Sequence, residues 1–238
     1  RGWPDISRPQ SMVMTNIVSG IVRPSDIARN LGVSRQAIHS TIGQMVKLGM
    51  VELAPDPDDR RHMIVSLTPT GAKMRQDAQR AMGLVRHHAT EWGLDPKRVG
   101  LLGFSAGGNL TGHAAWDRGE RTYLQKPDLD DARGPDFIVF VYGGGFLDAA
   151  DKTRFRPGFS VPSDAPPAFF LVAHDDKTNP VEATMLYLEY KKLGIPAELH
   201  ICTKGGHGFG MRRDKHPVND WPQRCGEWMR SMGYLDAR

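Results

Sequence analysis

A chain of 238 residues, 39% hydrophobic and 24% charged, has the balance of a globular protein of one large or two small domains. No apolar run reaches the roughly 18 to 20 residues of a membrane helix, and the opening RGWPDISRPQ has no apolar signal core, so the expectation is a cytoplasmic protein with no membrane partner. The net charge of +4 lies wholly in residues 1–76, which hold 10 Lys and Arg against 6 Asp and Glu while the rest hold 21 of each, so an anionic partner is expected for the first part alone.

The first third has a helical period followed by a hairpin. In PQSMVMTNIVSG, the residues Met12, Val13, Ile17 and Val18 form one face, and Gly20 closes it. SDIARNLG predicts a second helix broken by Gly32, with Ile27, Ala28 and Leu31 on one side. Ser34 is placed to cap a third, RQAIHSTIGQMVKLG, with Ile38, Ile42, Met45 and Leu48 inward. Two helices joined by a short turn containing glycine follow the helix-turn-helix plan. MVELA and HMIVSL then alternate around a charged tip, PDPDDRR, which predicts two strands and a turn. Thr68-Pro69-Thr70-Gly71 opens a long helix expected to run to Gly93.

These residues, roughly 9 to 80, resemble the winged helix-turn-helix core of the MarR family of transcription regulators; DPDDRR followed by a strand and LTPTG is the most specific part. The physical reading agrees. Ser34, Arg35, Gln36 and His39 lie at the exposed N-terminal side of the third helix and offer groups suited to base edges and phosphates. Arg60 and Arg61 on the hairpin tip are placed for a minor groove or backbone. The expected partner is double-stranded DNA. The family dimerises through helices at both ends of its chain, and the N-terminal one has no counterpart here, so binding by a monomer is expected to be weak and salt-sensitive.

After Gly93 the rhythm changes. RVGLLGF, DFIVFVYG, AFFLVAHD and AELHICTK are short, nearly continuous apolar runs separated by the helical segments GGNLTGHAAW and PVEATMLYLEYKKLG. Strands alternating with helices imply a parallel sheet with covered faces. EWMRSMGYL reads as a closing helix. Ser105 stands in Gly103-Phe104-Ser105-Ala106-Gly107 between a strand and a helix, where glycines allow a sharp turn that leaves a serine hydroxyl exposed. His207 in GGHGFG follows the last strand and is placed to take its proton. An acid is then needed to orient the imidazole, and Asp175 and Asp176 follow the strand AFFLVAH.

From Asp77 the chain resembles the α/β-hydrolase superfamily, in particular bacterial esterases of the acetyl-xylan-esterase and dienelactone-hydrolase-like type. The resemblance rests on DAQRAMGLVRHHATEWGLDPKRVGLLGFSAGGNL, PAFFLVAHDDKTNP and GIPAELHICTKGGHGFG. It implies a small-molecule ester substrate with short acyl chains and a triad of Ser105, His207 and Asp176. The family places the acid four residues before a proline, here Pro180, with Asp175 the second choice. The fold class expected is α/β: a hydrolase-like domain over 77–238, truncated at its N-terminal strands, behind a winged-helix domain over 1–76.

Ala106 N–H supplies one oxyanion donor by position; the family's second comes from a Gly-rich loop ahead of the serine, where the winged helix stands here. Gly143-Gly144-Gly145 is an alternative source, although it follows the serine and by order matches the turn after the neighbouring strand. The strand RVGLLGF, internal in the full fold, is left as an apolar edge, so a cover is expected from the N-terminal domain or from a second copy in a homo-oligomer. Cys202 and Cys225 give neither a disulfide framework nor zinc spacing; no metal or cofactor is expected. His87, His88, His113, His200 and His216 read as ordinary histidines, and DLDD at 128–131 as a solvated loop. A rival reading makes the chain a DNA-binding regulator with a sensor or inert remnant behind it.

Overall fold

The structure is a computed structural model and describes residues 7–18, 21–116, 134–148, 150–177, 180–212 and 216–236. Gly20 and the 128–131 stretch lie outside the described residues. The chain divides into two compact units: residues up to Met74 together with Gly145–Pro157, and Arg75–Gly144 together with residues from Gly158 onward.

The first unit contains α1 (Arg8–Val18), α2 (Pro24–Leu31), α3 (Arg35–Lys47), β1 (Val51–Pro55) and β2 (Met63–Leu67). Gly32 ends α2 at φ 65°, a left-handed cap that glycine adopts without strain. Ser34 caps α3 by accepting the Ala37 N–H at 3.1 Å. β1 and β2 pair antiparallel with Val51 opposite Leu67 and Pro55 opposite Met63. Val13, Ile17, Ile27, Ile38, Ile42, Met45 and Val65 form one core. Each such side chain, fully buried, contributes about 1.5–3 kcal/mol. The Arg23 guanidinium meets the buried Asp56 carboxylate at 2.5 Å and ties the hairpin to the start of α2.

Helix α4 (Pro69–His87) spans the division. It stops six residues short of the expected Gly93, because the chain turns back first: the Leu94 N–H bonds to Ala89 O at 2.7 Å around Gly93, held at φ 67°.

The second unit carries β3 (Leu101–Phe104), α5 (Ala106–Trp116), β4 (Ile138–Val141), β5 (Ala168–Ala173), α6 (Pro180–Leu193), β6 (Ala197–Cys202) and α7 (Trp221–Ser231). The four strands form one parallel sheet in the order β3-β4-β5-β6. Residues on β4 and β5 alternate between two cores, as the period of two in a strand demands. Val139, Val141, Phe169 and Leu171 pack with Trp221 and Trp228, while Phe140 and Phe170 meet each other edge-on and pack against Trp116 and Tyr190. This is why those runs are continuously apolar: both faces are covered. β3 is an edge of the described sheet, and Leu102 on it is 49% exposed. The closing helix starts at Trp221, earlier than EWMRSMGYL suggests; Pro222 fits its first turn, where a missing N–H costs nothing.

Arg86 fastens the end of α4 to the base of the sheet. Its guanidinium donates to Pro96 O at 2.7 Å, Gly134 O at 2.6 Å and Asp136 Oδ2 at 2.9 Å. Asp136 also accepts the Val99 N–H at 2.8 Å, just before β3.

Candidate active site

Ser105 occupies the turn between β3 and α5 at φ 54°, a left-handed conformation costing about 1–3 kcal/mol for a residue other than glycine. Its N–H bonds to Val141 O at 3.0 Å. The turn is possible because its neighbours lack side chains. A Cβ on Gly103 would run into the Gly107 carbonyl and Thr111 Oγ1, and one on Gly108 would lie 2.7 Å from Gly143 Cα. Gly107, the second glycine of the motif, has open space around it.

Ser105 Oγ lies 2.7 Å from His207 Nε2, and His207 Nδ1 lies 2.7 Å from Asp176 Oδ2. A carboxylate only accepts, so Nδ1–H faces Asp176 and Nε2 is left to accept from the serine hydroxyl. The Asp176 side chain is 1% exposed and that of His207 is 25% exposed, so the acid is sealed while the imidazole is open to solvent. Asp175, the alternative acid, does something else. It accepts the Gly206 N–H at 2.8 Å and faces Lys204 Nζ at 3.8 Å, and that backbone bond, then the lysine, holds its carboxyl below the usual carboxylate range. It secures the loop that carries His207.

Other features near the site were not foreseen. The Trp221 indole N–H donates to Gly210 O at 2.9 Å, pinning the far end of the histidine loop. Tyr142 packs against His207 and Phe209. Ala106 is the first residue of α5, where helix N–H groups have no helical partner. Gly143 and Gly144 lie against α5, with Gly144 O accepting the Asn109 amide at 2.7 Å. Among the described residues no three His, Cys, Asp or Glu side chains gather to hold a metal.

In the first unit, Ser34, Arg35, Gln36 and His39 are exposed at one end of α3, and Arg60 and Arg61 are exposed on the hairpin tip. Arg61 forks onto Asp59 at 2.9 and 2.8 Å, which depresses the carboxyl below its ordinary range. The sequence reading missed this pair and the Arg23–Asp56 bridge, although DPDDRR holds both acids.

The profile of the MarR family matches residues 5–62, and that of the alpha/beta hydrolase fold matches residues 72–159. The chain joins a MarR-like winged helix to an α/β-hydrolase fold. The α/β-hydrolase part is similar to an acetylxylan esterase of Xylanibacter ruminicola, 26% identical over 171 residues, covering 66% of this chain and 35% of that protein. Among solved structures, the acetyl ester-xyloside bifunctional hydrolase of Caldicellulosiruptor lactoaceticus is 33% identical with a TM-score of 0.54, over 68% of this chain and 66% of that one. The MarR-like part is 27% identical over 99 residues to the multiple antibiotic resistance protein MarR of Salmonella typhimurium, covering 41% of this chain and 69% of that one. The chain thus spans about a third of the length of the curated esterase it matches. No helix among the described residues is long and apolar enough to cross a membrane.

Proposed function

We propose that this chain is a serine carboxylesterase acting on short-chain acyl esters. Ser105 Oγ attacks the ester carbonyl while His207 Nε2 takes its proton. Asp176 stabilises the imidazolium that results, and the Ala106 N–H donates to the oxyanion. His207 then gives the proton to the departing alkoxide, leaving an acyl-enzyme on Ser105. Water, deprotonated by the same imidazole, releases the acid and restores the serine. The chemistry calls for no cofactor. A site served by the Ala106 N–H alone is expected to turn over roughly 10²- to 10³-fold more slowly than one with two donors.

The observation that carries this reading is the continuous pair of 2.7 Å contacts from Ser105 through His207 to Asp176. The names of the similar proteins, acetylxylan esterase and acetyl ester-xyloside hydrolase, favour acetyl esters. The test is labelling of Ser105 by a fluorophosphonate, with hydrolysis of p-nitrophenyl acetate. Labelling and hydrolysis that both vanish in Ser105→Ala support it; an unlabelled Ser105 in the native protein overturns it.

A second reading concerns the MarR-like part, which by this proposal extends over residues 1–76 with the hydrolase part over 77–238. It contacts double-stranded DNA through Ser34, Arg35, Gln36 and His39 of α3 and through Arg60 and Arg61. The exposure of all six favours it, as does the excess positive charge of this segment. Salt-dependent duplex binding is the check, and binding that ignores both salt and Arg35→Ala speaks against it. A homo-oligomer joined at the β3 edge and a cytoplasmic location go with these readings.

A further inference from the structure

Among the described residues, two that are not glycine hold a positive φ: Ser105 at 54° and Tyr142 at 38°. Both touch the same imidazole. Ser105 Oγ meets His207 Nε2 at 2.7 Å, and the Tyr142 ring lies 4.9 Å from the His207 ring, centroid to centroid, at 62°. Glycine would carry the Tyr142 backbone without strain, so a tyrosine here persists against a local preference. Its surroundings enforce the conformation. The Tyr142 N–H is held by Leu171 O at 2.7 Å, and a Cβ on the following Gly143 would come within 2.5 Å of the Phe140 ring.

The strained backbone delivers the ring to one place. It contacts Phe209 at 4.5 Å, two residues past His207, and Phe104 at 5.8 Å, the residue before Ser105. Tyr142 therefore bridges the serine turn and the histidine loop. Hydrogen bonds at Nδ1 and Nε2 fix two atoms of the imidazole. The third point of its plane, Cβ, belongs to a loop with Gly206 at φ 59° and Gly208 at φ 84° on either side of His207, so the ring is only as fixed as that loop. The Tyr142 ring, packed on both the imidazole and Phe209, holds the loop and the ring together.

We propose that Tyr142 is a positioning residue whose ring fixes the plane of the His207 imidazole, keeping Nε2 on Ser105 while Nδ1 stays on Asp176. The role rests on the esterase reading for its chemistry, but it is a geometric claim that can be read without turnover. It acts through His207 and need not touch substrate, so its loss falls on kcat rather than KM.

The test uses the full chain and two readouts: the low-field proton resonance of His207 Nδ1–H by NMR, and kcat and KM on p-nitrophenyl acetate. Tyr142→Phe, which keeps the ring, is expected to retain the resonance and to hold kcat within about threefold. Tyr142→Met is expected to broaden or lose the resonance and to lower kcat about 10- to 100-fold with KM little changed, the scale of a reacting group displaced by about an ångström. Should the Met variant fail to fold, Tyr142→Gly relieves the backbone strain and is expected to show the same losses. A Met or Gly variant that keeps both the resonance and kcat overturns the proposal, as does a native protein lacking the resonance. A native protein that hydrolyses no ester, yet whose resonance depends on the Tyr142 ring, sinks the esterase reading and leaves the positioning role standing.

Discussion

The serine turn and the charged hairpin tip are built on opposite terms. At the turn the groups are committed in advance: Ser105 and Tyr142 sit in strained backbone, and the Asp176 side chain is 1% exposed. At the tip the Arg61 side chain is 86% exposed. There the fixed element is the base of the hairpin, held by Arg23 on Asp56. Bond-making needs atoms placed before the substrate arrives. Charge recognition of a polyanion needs groups left in water until the partner displaces counterions. Strain and burial mark the serine turn, and at the tip an exposed arginine, paired with Asp59, stands on a frame fixed by Arg23 and Asp56.

That contrast can be broken at several points. Ser105→Ala is expected to lower hydrolysis of p-nitrophenyl acetate by about 10³-fold or more while leaving duplex binding unchanged. Asp176→Asn, which keeps the shape but spoils the imidazole tautomer, is expected to lower kcat by about 10²- to 10⁴-fold with little change in KM. Ile42→Ala, which empties part of the first unit's core, is expected to destabilise that unit by about 2–5 kcal/mol in denaturant melts. Arg35→Ala is expected to weaken duplex binding about 3- to 30-fold and to flatten the salt slope by about one unit, with esterase activity unaltered.

The smallest effect concerns acid. Asp175 is held below its ordinary range chiefly by the Gly206 N–H. A group whose pKa is depressed on folding stabilises above its unfolded value and loses that contribution as pH falls through the folded value. The histidine loop should therefore be firm at neutral pH and loosen below about pH 4, the ordinary aspartate range. Amide exchange at Gly206 reads this directly: its protection factor should fall in acid, and in Asp175→Ala should be low at every pH. Protection in Asp175→Ala equal to that of the native chain would show that other contacts hold the loop.

How much of this was legible in the sequence follows from the range of the interactions. The helix-turn-helix pattern and the four apolar strands were readable because period and glycine punctuation are local. So were Ser105, His207 and the pair Asp175-Asp176, since each follows a strand that a parallel sheet delivers to one rim. Spacing to Pro180 favoured Asp176 through family resemblance; the structure brings that acid to the imidazole and gives Asp175 to the Gly206 amide. Tyr142 was invisible because its role depends on a backbone angle, and an apolar run ending in Tyr-Gly-Gly-Gly carries no sign of it. The start of α7 was missed by giving Trp221-Pro222 no weight as a helix opening.

Arg86 sets a limit on how this protein can be taken apart. It lies late in α4, yet its partners Pro96, Gly134 and Asp136 all belong to the sheet-bearing unit, and both members of the ion pair are 6% exposed at their side chains. A truncation starting beyond Arg86 would take from Asp136 its ion pair and from Pro96 O and Gly134 O their donor, and is expected to weaken the foot of the strand that leads to Ser105. Anyone cutting the hydrolase-like portion free should begin upstream of that arginine, even where this carries along part of a helix that looks dispensable.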